Sequence, residues 1–266
     1  TAADQALRDR EAYAAFVLGP SGVTLHTASA ASPVVAQLLT GAVAEIGDGR
    51  PVPVRDVVPG SPDDPRGAGF AAGFLPLALT SMLAGIGLAF VVRGRWARLA
   101  GLVGYAALAG LVGAAVLQGW LGVLDGDYLT GAAAIGLFAL ATSGMVLGLG
   151  AALGGPGIGL GALLAFLVGN PLSAVAAAPE LLPQPWGQVG QWLPPGAGGT
   201  LLRSVSWFDG AGSTQPLWTL AGWAALGIVL VLVGRATLGR ATPDRGADAA
   251  GDAVAGQRAA DTPAAG

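Results

Sequence analysis

Residues 67–92 read GAGFAAGFLPLALTSMLAGIGLAFVV, without one charged side chain between Arg66 and Arg93. A helix of about 20 residues crosses the hydrocarbon core of a bilayer, so this run is long enough to cross once. Outward from it, Leu99–Leu124 is uncharged between Arg98 and Asp125 and predicts a second crossing. Tyr128–Pro179 is uncharged over a length that suits two, and Gly154-Gly155-Pro156-Gly157 interrupts it with residues that end helices. Helices are therefore expected at 128–153 and 158–178. A last apolar run, 217–234, stops at Arg235. These 67–92, 99–124, 128–153, 158–178 and 217–234 helices give an all-α polytopic membrane protein.

Composition points the same way. Only 11% of the 266 residues are charged and 53% are hydrophobic, whereas a soluble domain carries roughly 25% charged residues. The net charge of −3 gives no reason to expect nucleic acid as a partner. All 13 basic residues are arginine, the coding bias of a GC-rich bacterial genome, so no Walker A or Schiff-base lysine exists in this chain. Cysteine is absent, which removes disulfides, thiolate nucleophiles and Cys-based metal sites. No nucleotide loop, nucleophile elbow or His/Glu metal pattern occurs, so neither an enzyme nor a bound cofactor is expected. The single histidine, His26, sits in the alternating stretch Val23–Thr27 and reads as a satisfied or exposed strand residue.

Arginine placement sets the expected orientation. One set of flanks carries Arg93, Arg95, Arg98, Arg235 and Arg240 and should be cytoplasmic. The other carries Arg66 and Arg203 with Asp125, Asp127, Glu180 and Asp209. Trp120 and Trp218 fall at outer span edges and Trp96 at an inner one, as interfacial tryptophans do. Five crossings then put residues 1–66 outside the cell membrane and the C-terminus in the cytoplasm.

Within 1–66, Ala14–Leu18 and Val23–Thr27 flank Gly19-Pro20-Ser21-Gly22 and suit a hairpin. Ser32-Pro33 is a helix start, followed by an apolar stripe of Val35, Leu38, Leu39, Ala42 and Ile46. Val52–Val58 adds a strand. This makes a partial α/β extracytoplasmic domain, with too little core to stand alone. The chain begins at Thr1, not Met, and is read as part of a longer protein. Residues 241–266 lack periodicity and read as a disordered cytoplasmic tail.

The 180–216 loop is rich in proline and tryptophan. Leu201, Val205 and Phe208 share a helical face, with Arg203 and Ser206 off it and Trp207 beside it. This describes a short helix in or dipping into the outer interface, or an ordinary loop over the helix ends. Glycine pairs at four-residue spacing (Gly69/Gly73, Gly144/Gly148, Gly157/Gly161) read as close helix packing. No Asp, Glu, Arg, Lys or His falls inside the expected spans, which leaves no proton relay. The polar groups available to a substrate path are weak ones: Thr80, Ser81, Gln118, Ser143 and Asn170.

Three segments carry a family resemblance: Ser29-Ala30-Ala31-Ser32 with its following helix; Val54-Arg55-Asp56-Val57-Val58-Pro59 leading through Asp64-Pro65-Arg66-Gly67; and Asn170-Pro171-Leu172-Ser173 through Leu193-Pro194-Pro195-Gly196-Ala197-Gly198 to Arg203 and Phe208-Asp209-Gly210. The chain resembles ABC-2-type permeases, specifically the Pip/YhgE-like (phage infection protein) branch. The resemblance implies a helix upstream of a large outer domain, so that these five helices are the last five of six. It implies a re-entrant element before the last helix, matching 180–216. It also implies a separate ATP-binding subunit acting on a cytoplasmic coupling element between the second and third helices of the six. That element falls at Arg93, Arg95, Trp96 and Arg98, residues that serve equally well as positive-inside anchors. The expected function is the permease subunit of an exporter for a hydrophobic or lipid-like substrate, a homodimer or a heterodimer with a related permease in the lipid bilayer. The alternative is a non-transporting cell-surface receptor or cell-envelope scaffold.

Overall fold

The computed structural model describes residues 1–20, 22–46 and 52–234. Arg235, Arg240 and the expected tail at 241–266 lie outside the described residues. The chain is mostly helical, with five helices long and apolar enough to cross a membrane: α3 (Ala68–Val91), α4 (Arg95–Trp120), α5 (Tyr128–Leu153), α6 (Gly155–Leu172) and α9 (Thr214–Val233). Ahead of them come α1 (Ala2–Arg8), β1 (Ala14–Gly19), β2 (Gly22–Thr27), α2 (Pro33–Ile46) and β3 (Val54–Asp56). Between α6 and α9 lie α7 (Trp186–Gln191) and α8 (Pro194–Trp207).

The second span begins at Arg95 and not at 99, and ends at Trp120 and not at 124. Two arginines in a first turn do not prevent a helix. The break is made by Gly94, whose φ of 89° is a left-handed conformation suited to glycine. The expected loop 93–98 therefore shrinks to residues 92–94. The fourth span starts at Gly155, earlier than the expected 158, because Gly154 (φ 71°) takes the whole turn and Pro156 fits the first helical turn. It ends at Leu172 and not at 178, where Ala174 adopts a positive φ of 52°. The first and last spans are 68–91 and 214–233, against the expected 67–92 and 217–234.

Helix α5 is the axis of the bundle. Ala141, Thr142, Val146 and Leu147 on it are fully enclosed. On one side it packs against α9, where Gly144 and Gly148 face Gly227 so closely that a Cβ at Gly148 would lie 2.7 Å from the Gly227 carbonyl oxygen. Small residues at these positions let the two backbones come into direct contact, so the pair is held by close packing and dispersion. Gly73 closes on Leu117 of α4 and Gly161 on Val146 of α5 in the same way. A cluster of aromatics fills the other half of the core, with Phe74 tilted against Phe138 at 4.8 Å and Phe70 edge-on to Trp207 at 5.8 Å between ring centres.

The sheet has the order β1-β2-β3, with β1 and β2 an antiparallel hairpin and β3 parallel to β2. The stripe expected on α2 is not its buried face: Leu38 is 59% exposed and Ala42 is exposed, while Ala36 and Val43 are buried. Pro33 at the head of α2 is wedged against Gly67 before α3, where a Cβ would meet its ring at 2.8 Å. That contact fixes the rotation of the helix. The unforeseen α1 is closed by a capping box between Thr1 and Asp4. Leu7, Ala28, Ala30, Ala31 and Val58 then bury Phe208, which seats this segment on the end of α8.

Candidate functional site

The expected short interfacial helix at 201–208 is instead the second half of α8, and it is packed inside the bundle. Leu201, Leu202 and Phe208 are buried, Val205 and Trp207 are half-buried, and Arg203, expected off the apolar face, is only 6% exposed. Two contacts measure how deep the 186–207 unit reaches. Gly198 abuts Phe138, ten residues into α5, and the Trp223 indole, nine residues into α9, donates to the Trp192 carbonyl at 2.8 Å. Gln215, the second residue of α9, also donates to the Gln191 carbonyl at 3.3 Å, so the α7–α8 turn packs against the first to third turns of α9, in the sheet-side half of the bundle. From there α8 runs back toward the sheet, where the Trp207 indole donates to Asp125 at 2.8 Å.

A buried arginine needs compensation. Arg203 donates to the Val175 carbonyl at 2.8 Å and lies over the Phe70 ring at 4.5 Å, with no carboxylate in ion-pair range among the described residues. One helical turn away, Arg10 donates to the Thr200 carbonyl (3.1 Å) and the Ser204 hydroxyl (2.6 Å) and stacks on Phe208. Tyr13 donates to Glu180 at 2.7 Å. Burial lowers the pKa of Arg10. Burial, then the bond to Glu180, raises the Tyr13 phenol above its ordinary value. Together these groups tie residues 1–66 to α8 and to the chain after α6.

Of the two alternatives for His26 the structure shows the satisfied one: it is buried and hydrogen-bonded to Asp4 at 2.6 Å. That bond is the main reason the Asp4 pKa falls to about 2.

The five polar residues proposed for a substrate path do not converge. Thr80 donates to the Pro76 and Leu77 carbonyls, Ser81 to Leu77, and Ser143 to Ala139, each along its own helix. Tyr105 of α4 donates to the Ser81 hydroxyl at 3.2 Å, and Gln118 donates to the Gly126 carbonyl at 2.7 Å. Asn170 differs. Its side-chain amide makes no hydrogen bond to any described residue, while its backbone carbonyl accepts from Ser173. It opens into a cavity of about 350 Å³ between α3 (Ala71, Phe74, Leu75) and the turn 170–177.

Two larger grooves lie on the flanks. One of about 440 Å³ between α3 and α4 is lined by Gly73, Pro76, Thr80 and Tyr105, and one of about 500 Å³ between α4 and α5 is wholly apolar. At the far end of the bundle, Arg98 is half-buried and donates to the Val92 and Ala89 carbonyls, both at 2.9 Å, so it caps α3. Arg93, Arg95 and Trp96 are exposed, with Arg95 over the Trp96 ring.

Sequence reasoning named Asn170 and Arg203 but missed Arg10, Tyr13 and Glu180 as partners, since no local pattern links residues so far apart. No protein-family model, curated protein or solved structure matches the chain.

Proposed function

We propose that the chain is the membrane permease subunit of an ABC-2-type exporter that moves a hydrophobic or lipid-like substrate and is powered by a separate ATP-binding subunit. One observation carries the reading. Beyond Arg95 and Arg98 in the first turns of α4, none of the five long helices contains Asp, Glu, Arg, Lys or His. Such helices offer no proton relay and no site for a hydrated ion, so an apolar cargo and an outside energy source fit them best. The α7–α8 unit supports the reading as a re-entrant element that closes the outer half of the path. In this arrangement the sheet lies outside the cell, and the exposed Arg93, Arg95 and Trp96 face the cytoplasm, where an ATPase subunit would bear on them.

The test is purification of the full-length protein from its own host in mild detergent, followed by reconstitution. An ATPase should co-purify, and the reconstituted pair should move a lipid-like substrate only with ATP. Recovery of neither ATPase nor ATP-dependent movement would sink the proposal. A receptor or envelope scaffold is the second reading, favoured by the exposed apolar side chains Phe16, Leu18, Val23 and Val54 on one face of the sheet. It gains if the protein works unimpaired with the 93–98 arginines removed.

A further inference from the structure

We infer that the cavity beside Asn170 holds the uncharged hydrogen-bonding linkage (ester, amide or hydroxyl) of an amphiphile whose tail lies along α3. The inference rests on the permease reading and names the chemistry its cargo presents. The cavity wall is apolar except at Asn170 and Ser173, and no charged side chain lines it. Ser173 has already given its hydrogen to the Asn170 carbonyl, so among the side chains lining the cavity the Asn170 amide is the one with both donor and acceptor capacity left.

Asn170 is half-buried, and a ligand that pairs with its amide in an otherwise apolar cavity gains hydrogen bonds that a hydrocarbon does not. Thr80, Ser81, Gln118 and Ser143 each bond within the protein, which leaves Asn170 as the one of the five candidates whose side chain is free to meet a ligand. Depth agrees with this chemistry. Ala71 and Leu75 lie three and seven residues into α3, or about 5–10 Å from its sheet-side end. That is the boundary where ester linkages of lipids sit between headgroup and tail. A carboxylate or phosphate would enter with no cation on the cavity wall, since the Arg203 guanidinium is engaged with Val175 and Phe70. A bare hydrocarbon would leave the amide unpaired.

The experiment uses the full-length protein in dodecyl maltoside with three diazirine probes: dioleoylglycerol, oleate and hexadecane. Labelled peptides are mapped by mass spectrometry. Dioleoylglycerol should label 71–75 or 170–177 saturably, oleate and hexadecane much less. Asn170→Leu should weaken dioleoylglycerol labelling about tenfold, Asn170→Gln less. Ala176→Trp, at an exposed position on the rim, should block labelling with an unchanged gel-filtration profile.

Excess phosphatidylcholine that competes fully would identify the occupant as bulk bilayer lipid bound through its ester. Failure to compete would point to a dedicated substrate. Labelling that is indifferent to Asn170→Leu and Ala176→Trp, or equally strong with hexadecane, overturns the inference. Labelling that depends on Asn170 in a protein that exports nothing would leave the inference standing and remove the permease reading; export that survives Asn170→Leu would do the reverse.

Discussion

Replacing Gly227 by alanine tests the packing at the bundle axis. A Cβ there would overlap the Cα, carbonyl carbon and carbonyl oxygen of Gly144 on α5, all backbone atoms that no rotamer change can remove. Gly222, on the same helix five residues earlier, has nothing within 4 Å of the position its Cβ would take. Alanine gains helix propensity over glycine by about 1 kcal/mol at either site, so that term cancels between the two variants. What remains is the overlap, and forcing extra atoms into a packed core costs about 1–3 kcal/mol. For a chain of this size each kcal/mol moves the unfolding midpoint by about 2–4 °C. Gly227→Ala should therefore melt about 2–12 °C below Gly222→Ala when tryptophan fluorescence is followed in detergent. Equal midpoints would mean that α5 and α9 do not touch through this seam, and the account of the bundle axis would be wrong.

Other predictions follow from single contacts. Trp207→Phe keeps the ring against Phe70 but loses the bond to Asp125, and should destabilise the protein by about 1 kcal/mol in a detergent melt. Arg98→Ala frees the carbonyls of Val92 and Ala89 and should cost a similar amount, about 1 kcal/mol given its partial exposure, measurable as faster hydrogen exchange at the end of α3. Because the folded pKa of Asp4 is depressed to about 2 from 3.8, its contribution is complete above pH ~4 and is lost as the pH falls toward 2. Limited proteolysis of residues 1–66 should accelerate across that window in the wild type, and Asp4→Asn should already be sensitive at higher pH with little change through it.

The five long apolar helices were legible because an uncharged run is a property of local composition. Their edges were less so. Reading charge as a boundary misplaced the start of α4, since Arg95 and Arg98 sit comfortably in a first turn while Gly94 makes the break. The hairpin of β1 and β2 was visible in its Gly-Pro-Ser-Gly turn, but α2 was assigned the wrong face because its rotation is set by Pro33 meeting Gly67. Of the site, Asn170 could be named from sequence but not distinguished from Thr80 or Ser143, whose hydroxyls are absorbed by carbonyls of the preceding turn of their own helices. Arg203 was read as a charge avoiding the core. Its compensation comes from Phe70 and Val175, 133 and 28 residues away along the chain, and pattern reading over a single helix does not reach them.

The chain has no cysteine, so single cysteines can be introduced without a reactive background. Ala44→Cys near the sheet, Ala97→Cys at the start of α4 and Gly155→Cys at the α5–α6 turn are all exposed positions. With a membrane-impermeant maleimide on intact cells, Ala44→Cys should label at once, and Ala97→Cys and Gly155→Cys only after permeabilisation. Labelling of Ala97→Cys in intact cells, or protection of Ala44→Cys, would contradict the five-crossing arrangement on which the permease reading depends.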